Sequence, residues 1–197
     1  MIRVTPPAEP PDFDQKARQP GQAWLAKNLD QDGKLPEGKR PLNKWKRFRN
    51  QLAGGFHNRC GYSAIHDLLG TVDHYLSCEN HPQLAYEWSN YRYASGWINS
   101  SKGTFDDQIL DPFEVQDDWF EILLPSMQLV LTGAVPPHER QRAEFTLERL
   151  QLGHGETIIK LRLVWYGYYQ EGRIDLDQLE MFAPLIARAV RKQAEEG

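Results

Sequence analysis

Apolar positions along the chain change period several times, and each change marks an element. Trp45, Phe48 and Leu52 recur at helical spacing, with Asn43 placed to cap and Gly54-Gly55 to stop, so a helix is predicted from Asn43 to about Ala53. Gly70-Thr71-Val72 reads as a short strand that delivers Asp73 and His74. Asn80 to Gln83 reads as its turn and Leu84 to Trp88 as the return strand. A helix carrying Asn99 and Lys102 follows, with Gly103 at its C-cap. Phe120 to Leu124 and Gln128 to Leu131 read as two strands joined at Pro125-Ser126. His138 to Leu152 is predicted helical and closed by Gly153; Thr157 to Tyr169 reads as a helix whose β-branched and aromatic content also suits a strand. Leu176, Leu179, Phe182, Leu185, Ala189 and Val190 line one face of a last helix, capped by Asp175 and kinked at Pro184. Met1 to Pro20 is rich in proline and charge and reads as an extended arm or linker. Trp24 and Leu25 then anchor a short helix, and Gln31 to Pro41 is loop.

The pattern predicts an α+β protein, mainly helical, and 197 residues suffice for a real core. Three regions are expected: an N-terminal arm and loop over 1–42, a central core over 43–115, and a mostly helical region over 116–197 packed on that core. No apolar run approaches the roughly 20 residues that cross a bilayer, and the N-terminal stretch has no apolar signal-peptide core. Two cysteines, Cys60 and Cys78, make no disulfide framework, which points to the reducing cytoplasm.

Charge adds one feature. The net charge of -4 argues against a chain that coats nucleic acid indiscriminately. Yet Lys34 to Arg49 holds seven basic residues against one acid, whereas Asp106 to Glu121 holds seven acids and no base. A phosphate backbone fits the first segment and is repelled by the second. Lys44, Lys46, Arg47 and Arg49 fall largely away from the apolar face of their helix, which suits either a solvated basic face or a phosphate-tracking surface.

The candidate chemistry lies between Thr71 and Gly103. Asp73 offers oxygen to a hard cation and His74 takes a proton near neutral pH. Asn90 follows 16 residues after His74, Asn99 nine later, and Lys102 three after that. On a helix this last spacing sets amide and ammonium on one face.

The order Asp73-His74, Asn90, Asn99, Lys102 resembles the HNH endonuclease family, with its central ββα-metal motif. The aromatic-rich N-terminal helix, Arg59-Cys60-Gly61-Tyr62, and Ile109 to Val115 extend the likeness to the PtuB-like HNH effectors of Septu and retron-associated antiphage systems. The resemblance implies a metal-dependent nuclease cutting DNA. His74 is then the general base, Asp73 and Asn99 hold Mg²⁺ or Mn²⁺, Asn90 orients the loop and the His74 ring, and Lys102 holds a phosphate oxygen. Many HNH proteins bind a structural zinc through two cysteine pairs. Here the matching positions are Cys60, Ser63, Ser95 and Ile98, so no structural zinc is expected. Tyr62, Trp88, Tyr91, Tyr93 and Trp97 are expected to replace it by packing. Such nucleases typically work with an ATPase, and this chain has no P-loop of its own, so that partner would come in trans. A binding module that no longer cuts, and an RNase, remain alternative readings.

Overall fold

In a computed structural model of the chain, residues 1–124 and 126–196 are described. Its elements follow from local chemistry, and the N-terminal stretch departs first from expectation. Residues 1–10 form neither helix nor strand yet are tied to the core: the Met1 side chain, and that of Phe13 just beyond, are fully buried, Val4 N–H donates to the Pro112 carbonyl, and Trp88 Nε1 donates to that of Pro7. A π-helical turn, Asp14–Arg18, leads into α1, Gln19–Asn28. Pro20 is tolerated in the first turn, where a missing N–H leaves no intrahelical bond unmade. Gly21 lets the Tyr86 ring lie directly against α1; a Cβ there would stand 2.3 Å from the ring.

The helix expected over residues 43–53 forms in two pieces. A 3-10 turn, Trp45–Phe48, precedes α2, Arg49–Gly55. Asn43 Oδ1 accepts the Lys46 N–H at 3.2 Å from one residue before the N-cap, which is Lys44, so it ties the entry to the turn without capping the helix as expected. Phe48, Leu52, Ala53 and Phe56 then face a core shared with Phe13, Trp88, Tyr91 and Tyr93.

β1, Thr71–His74, pairs antiparallel with β2, Tyr91–Ala94, in the register Asp73 opposite Arg92 and His74 opposite Tyr91. The return strand is therefore not Leu84 to Trp88. That segment is interrupted by 3-10 turns at Pro82–Leu84 and Trp88–Asn90. Pairing resumes only where Tyr75 N–H meets the Asn90 carbonyl at 2.8 Å. Tyr91 to Ala94 are all buried, Arg92 included, so this short strand is covered on both faces. α3, Gly96–Lys102, packs against β1 and closes at Gly103, whose φ of 53° is the left-handed conformation glycine accepts without a Cβ penalty. The bidentate pair of Arg92 with Asp111, both buried, ties the segment beyond α3 back to β2.

β3, Phe120–Leu123, and β4, Gln128–Leu131, form a second antiparallel pair with Leu123 opposite Gln128. Of the expected joint, Pro125 lies outside the described residues. α4, Pro137–Arg149, and α5, Glu156–Gln170, follow. Helix wins over strand for α5 because Ile158, Arg162, Trp165 and Tyr169 fall on one helical face against the core. Asp175 makes a capping box with Gln178 at the start of α6, Leu176–Phe182. Pro184 does more than kink the last helix. Ala183 leaves helical geometry at φ -149°, and Pro184 opens a separate helix, α7, Pro184–Glu196. The residue before proline is driven out of the helical region, while proline at a first helical position is favourable. No helix among the described residues is long and apolar enough to cross a membrane.

Candidate functional site

Successive residues of a strand point to opposite faces, and this divides the Asp73-His74 pair. Asp73 faces α3 and Tyr62. Its side chain is 2 % exposed: Oδ2 accepts the Tyr62 hydroxyl at 2.6 Å, and Oδ1 lies 3.2 Å from the Lys102 ammonium. Lys102, fully buried, also donates to the His74 backbone carbonyl at 2.9 Å. Three residues earlier on α3, Asn99 donates through Nδ2 to Thr71 Oγ1 at 3.1 Å and the Val72 carbonyl at 3.4 Å. The i, i+3 spacing thus lays amide and ammonium along the same four-residue strand.

The His74 imidazole occupies the other face. Trp45 meets it edge-on with centroids 4.4 Å apart, and Tyr91 at 5.0 Å. Nε2 is 2.9 Å from the Ala85 carbonyl. A carbonyl only accepts, so Nε2 carries the proton and Nδ1 keeps its lone pair in the neutral ring. Burial lowers the pKa below the ordinary histidine value; the Ala85 carbonyl and Asp73 oppose that shift and Lys102 adds to it. The result is a neutral imidazole of fixed tautomer, with no hydrogen-bond partner for Nδ1 among the described residues.

Asn90 clips the loop that leaves β1. Its Oδ1 accepts the Leu76 N–H at 2.9 Å, and its Nδ2 donates to the Leu76 carbonyl at 2.9 Å and the Leu84 carbonyl at 3.3 Å. Through Leu84 it also steadies the stretch that presents Ala85 to His74. Asp106 holds the same loop from the far side, accepting from Ser77 N–H at 2.6 Å and Asn80 Nδ2 at 2.7 Å.

The basic segment is only partly a free surface. Lys46 and Arg47 are exposed and Lys44 half-buried, next to the Trp45 that covers His74. Arg49 differs: its guanidinium donates to the Gly70 and Leu68 carbonyls and to Asn50 Oδ1, and lies 5.9 Å from the Tyr93 ring centroid. It fastens the approach to β1.

Sequence reasoning missed Tyr62 as the partner of Asp73, Trp45 as the wall of His74, and the Ala85 carbonyl. Tyr62 and Trp45 were visible only as core aromatics, and a backbone carbonyl carries no sequence signal. The Cys60 turn is held by backbone bonds, with Cys60 N–H donating to Ile65, Ala64 N–H to Cys60, and Gly61 N–H to Tyr93. Of the aromatics expected to replace a zinc, Tyr62 packs in the same core as Cys60, whereas Trp88, Tyr91 and Tyr93 belong to the core built around Phe13 and Phe48; all four are buried, and Trp97 is half-buried.

Mg²⁺ takes hard oxygens and few protein ligands, and by kind Asp73 and the Asn99 carbonyl oxygen suit it. Asn99 Oδ1 has no protein hydrogen-bond partner among the described residues. Asp73 fits on a condition, since Lys102 already neutralises its charge. Among the described residues no group of three His, Cys, Asp or Glu is arranged to hold a metal ion. Neither a family model nor a curated protein matches the chain.

Cys78 lies beside this site and is chemically quiet. Burial pushes its thiol up to about 12; Asp73 and Asp106 add to this and Lys102 opposes it. At pH 8 its thiolate is about a thousandfold scarcer than that of an unperturbed cysteine. Iodoacetamide followed by mass spectrometry is expected to label Cys78 slowly in the folded chain and rapidly in urea. Equal rates in both states would contradict the burial.

Proposed function

We propose that the chain is a metal-dependent HNH endonuclease that hydrolyses DNA, the nuclease arm of an antiphage system whose ATPase is supplied in trans. The observation that carries this reading is the His74 imidazole, whose Nε2 is committed to the Ala85 carbonyl while Nδ1 keeps its lone pair. A base that removes a proton from water as it attacks phosphorus works best when its proton affinity lies near the working pH. Nδ1 takes the water proton, and the Ala85 bond holds the ring while it does so. The antiparallel pair β1-β2 with α3 laid on β1, and Asn90 clipping the intervening loop, agrees with the ββα arrangement that the residue order implies.

Asp73 and Asn99 would hold Mg²⁺ or Mn²⁺, which supplies charge relief at the phosphate and the leaving oxygen. Lys102 departs from the phosphate-holding role its position implies. Buried against Asp73 and the His74 carbonyl, it sets the strand and tempers the carboxylate. Lys44, Lys46 and Arg47 supply the basic surface for the phosphate backbone on the His74 side; Arg49 does not join them.

One observation favours the second reading, a module that binds without cutting. Both Asp73 oxygens are engaged by Tyr62 and Lys102, the arrangement of a structural carboxylate. The two readings separate in one experiment. Supercoiled plasmid is incubated with the chain and Mg²⁺ or Mn²⁺, with and without chelator, alongside a His74→Ala variant, and DNA binding is followed by fluorescence anisotropy. Metal-dependent nicking lost in the variant supports the nuclease. Binding without cleavage in any metal, with the ATPase partner also present, supports the module. Equal nicking by both proteins refutes His74 as the base.

A further inference from the structure

The proline-rich arm crosses the end of α2 and leaves a cleft beside it. Gly55 allows the close approach, because a Cβ there would stand 2.4 Å from the Pro7 ring. The chain then turns back through two residues of positive φ, His57 at 54° and Asn58 at 55°, and Arg59 follows. Between this turn and the arm lies a cavity of about 130 Å³, with Arg3 and Thr5 on the arm side and His57 and Arg59 on the other. It sits at the opposite end of α2 from Trp45 and the His74 site.

No Asp or Glu among the described residues lines this cavity. Arg59 is half-buried, and burial lowers its pKa below the ordinary arginine value. Its one side-chain bond runs from Nη1 to the Glu180 carbonyl at a long 3.4 Å. The Glu180 carboxylate, which opposes the shift, is itself paired with Arg191 at 2.5 Å. Arg59 thus carries a partly desolvated charge with most of its five N–H donors uncommitted. Such a charge is costly until an anion meets it. The Arg3 guanidinium makes a single bond, to Gln116 Oε1 at 3.3 Å, and the Asp117 carboxylate beside it is taken by the Arg3 backbone N–H at 2.9 Å. The His57 imidazole and the Thr5 hydroxyl have no partner among the described residues. The last carbonyls of α2 do not face the cavity bare. Those of Leu52, Ala53 and Gly54 already accept N–H groups of Phe56, Asn58 and His57.

This donor set suits one ligand chemistry. Two guanidiniums, an imidazole and a hydroxyl arrive from two sides, which matches a tetrahedral oxyanion with oxygens in several directions. A flat carboxylate would be satisfied by one arginine alone.

We propose that this cleft is a phosphate-binding site, in which Arg59 holds the oxyanion and Arg3, His57 and Thr5 complete its shell. The site stands independently of the nuclease reading. Calorimetric titration of the full chain with inorganic phosphate, against sodium chloride of equal ionic strength, is expected to show binding at a single site. Arg59→Gln should weaken it about ten- to a hundredfold, the span of a lost charge-assisted bond, and Arg59→Lys should weaken it less. His57→Asn keeps a residue at ease with positive φ, and should weaken binding severalfold with far-UV circular dichroism unchanged. Two further ligands separate the sources of the phosphate: an oligonucleotide ending in a phosphate, and the same strand ending in a hydroxyl. Tighter binding of the phosphorylated strand, reversed by inorganic phosphate, identifies a strand terminus as the ligand. Equal binding of the two strands, with inorganic phosphate still bound, identifies the free ion. A chain that takes up no phosphate beyond the salt control overturns the proposal, as does an affinity indifferent to both Arg59→Gln and His57→Asn.

Discussion

Lys102→Met is expected to destabilise the fold by about 3–5 kcal/mol, the usual consequence of removing one partner from a buried ion pair. The methionine keeps most of the aliphatic volume, so packing against Tyr75 changes little. What is lost is the ammonium 3.2 Å from Asp73 Oδ1 and its bond to the His74 carbonyl. Asp73 is then left in the interior with the Tyr62 hydroxyl as its only donor among the described residues. The cost is chiefly that of an uncompensated charge, so it should be largely removed by adding Asp73→Asn, which supplies a neutral side chain of similar shape. Urea unfolding of wild type, both single variants and the double variant closes the cycle, and the coupling should exceed 1 kcal/mol by a clear margin. A double variant as unstable as the sum of the two singles would show that Lys102 acts by packing alone.

That ion pair also illustrates where reading the sequence stopped. The Asn99 and Lys102 spacing set both side chains on one helical face, because the helical period fixes direction along and around the axis, and the structure turns that face to β1. Period carries no information about depth. An ammonium at the same position serves equally to meet a phosphate in solvent or a carboxylate in the interior, and here it does the latter. His74 shows the same division. Its place at the end of a strand was legible from Gly70-Thr71-Val72 and the turn signals after it. Its tautomer depends on the Ala85 carbonyl, delivered by a stretch expected to be a strand and found as a succession of tight turns. β3, β4 and the Asp175 cap were legible because apolar runs and cap chemistry are local. The packing of the arm from Met1 to Phe13, whose two end residues are buried, was not, because proline-rich chain with isolated apolar residues looks alike whether it packs on a core or hangs in water. Arg49 was misjudged for a related reason: a basic residue off the apolar helix face was assigned to solvent, and it instead satisfies the carbonyls of Leu68 and Gly70.

If His74 is the base, His74→Ala should lower the rate of metal-dependent plasmid cleavage by about 10²–10⁴-fold, the span of a lost general base. The same substitution removes a ring packed between Trp45 and Tyr91, so the unfolding midpoint must be followed beside the rate. A structural histidine would lose activity only in step with folded protein; a base loses it while the chain remains folded. Asn90→Ala provides the contrast. It breaks three bonds that hold Leu76 and Leu84, and should lower stability and activity together. The pH profile adds a sign that packing cannot imitate. Burial holds the His74 pKa below its ordinary value, so the imidazole stays unprotonated down to more acidic pH than a free histidine. Cleavage by wild type should therefore persist as pH falls through 6.5 and decline only below it, whereas the residual activity of His74→Ala should lack that limb. A wild-type profile falling above the ordinary histidine range would point to a different base.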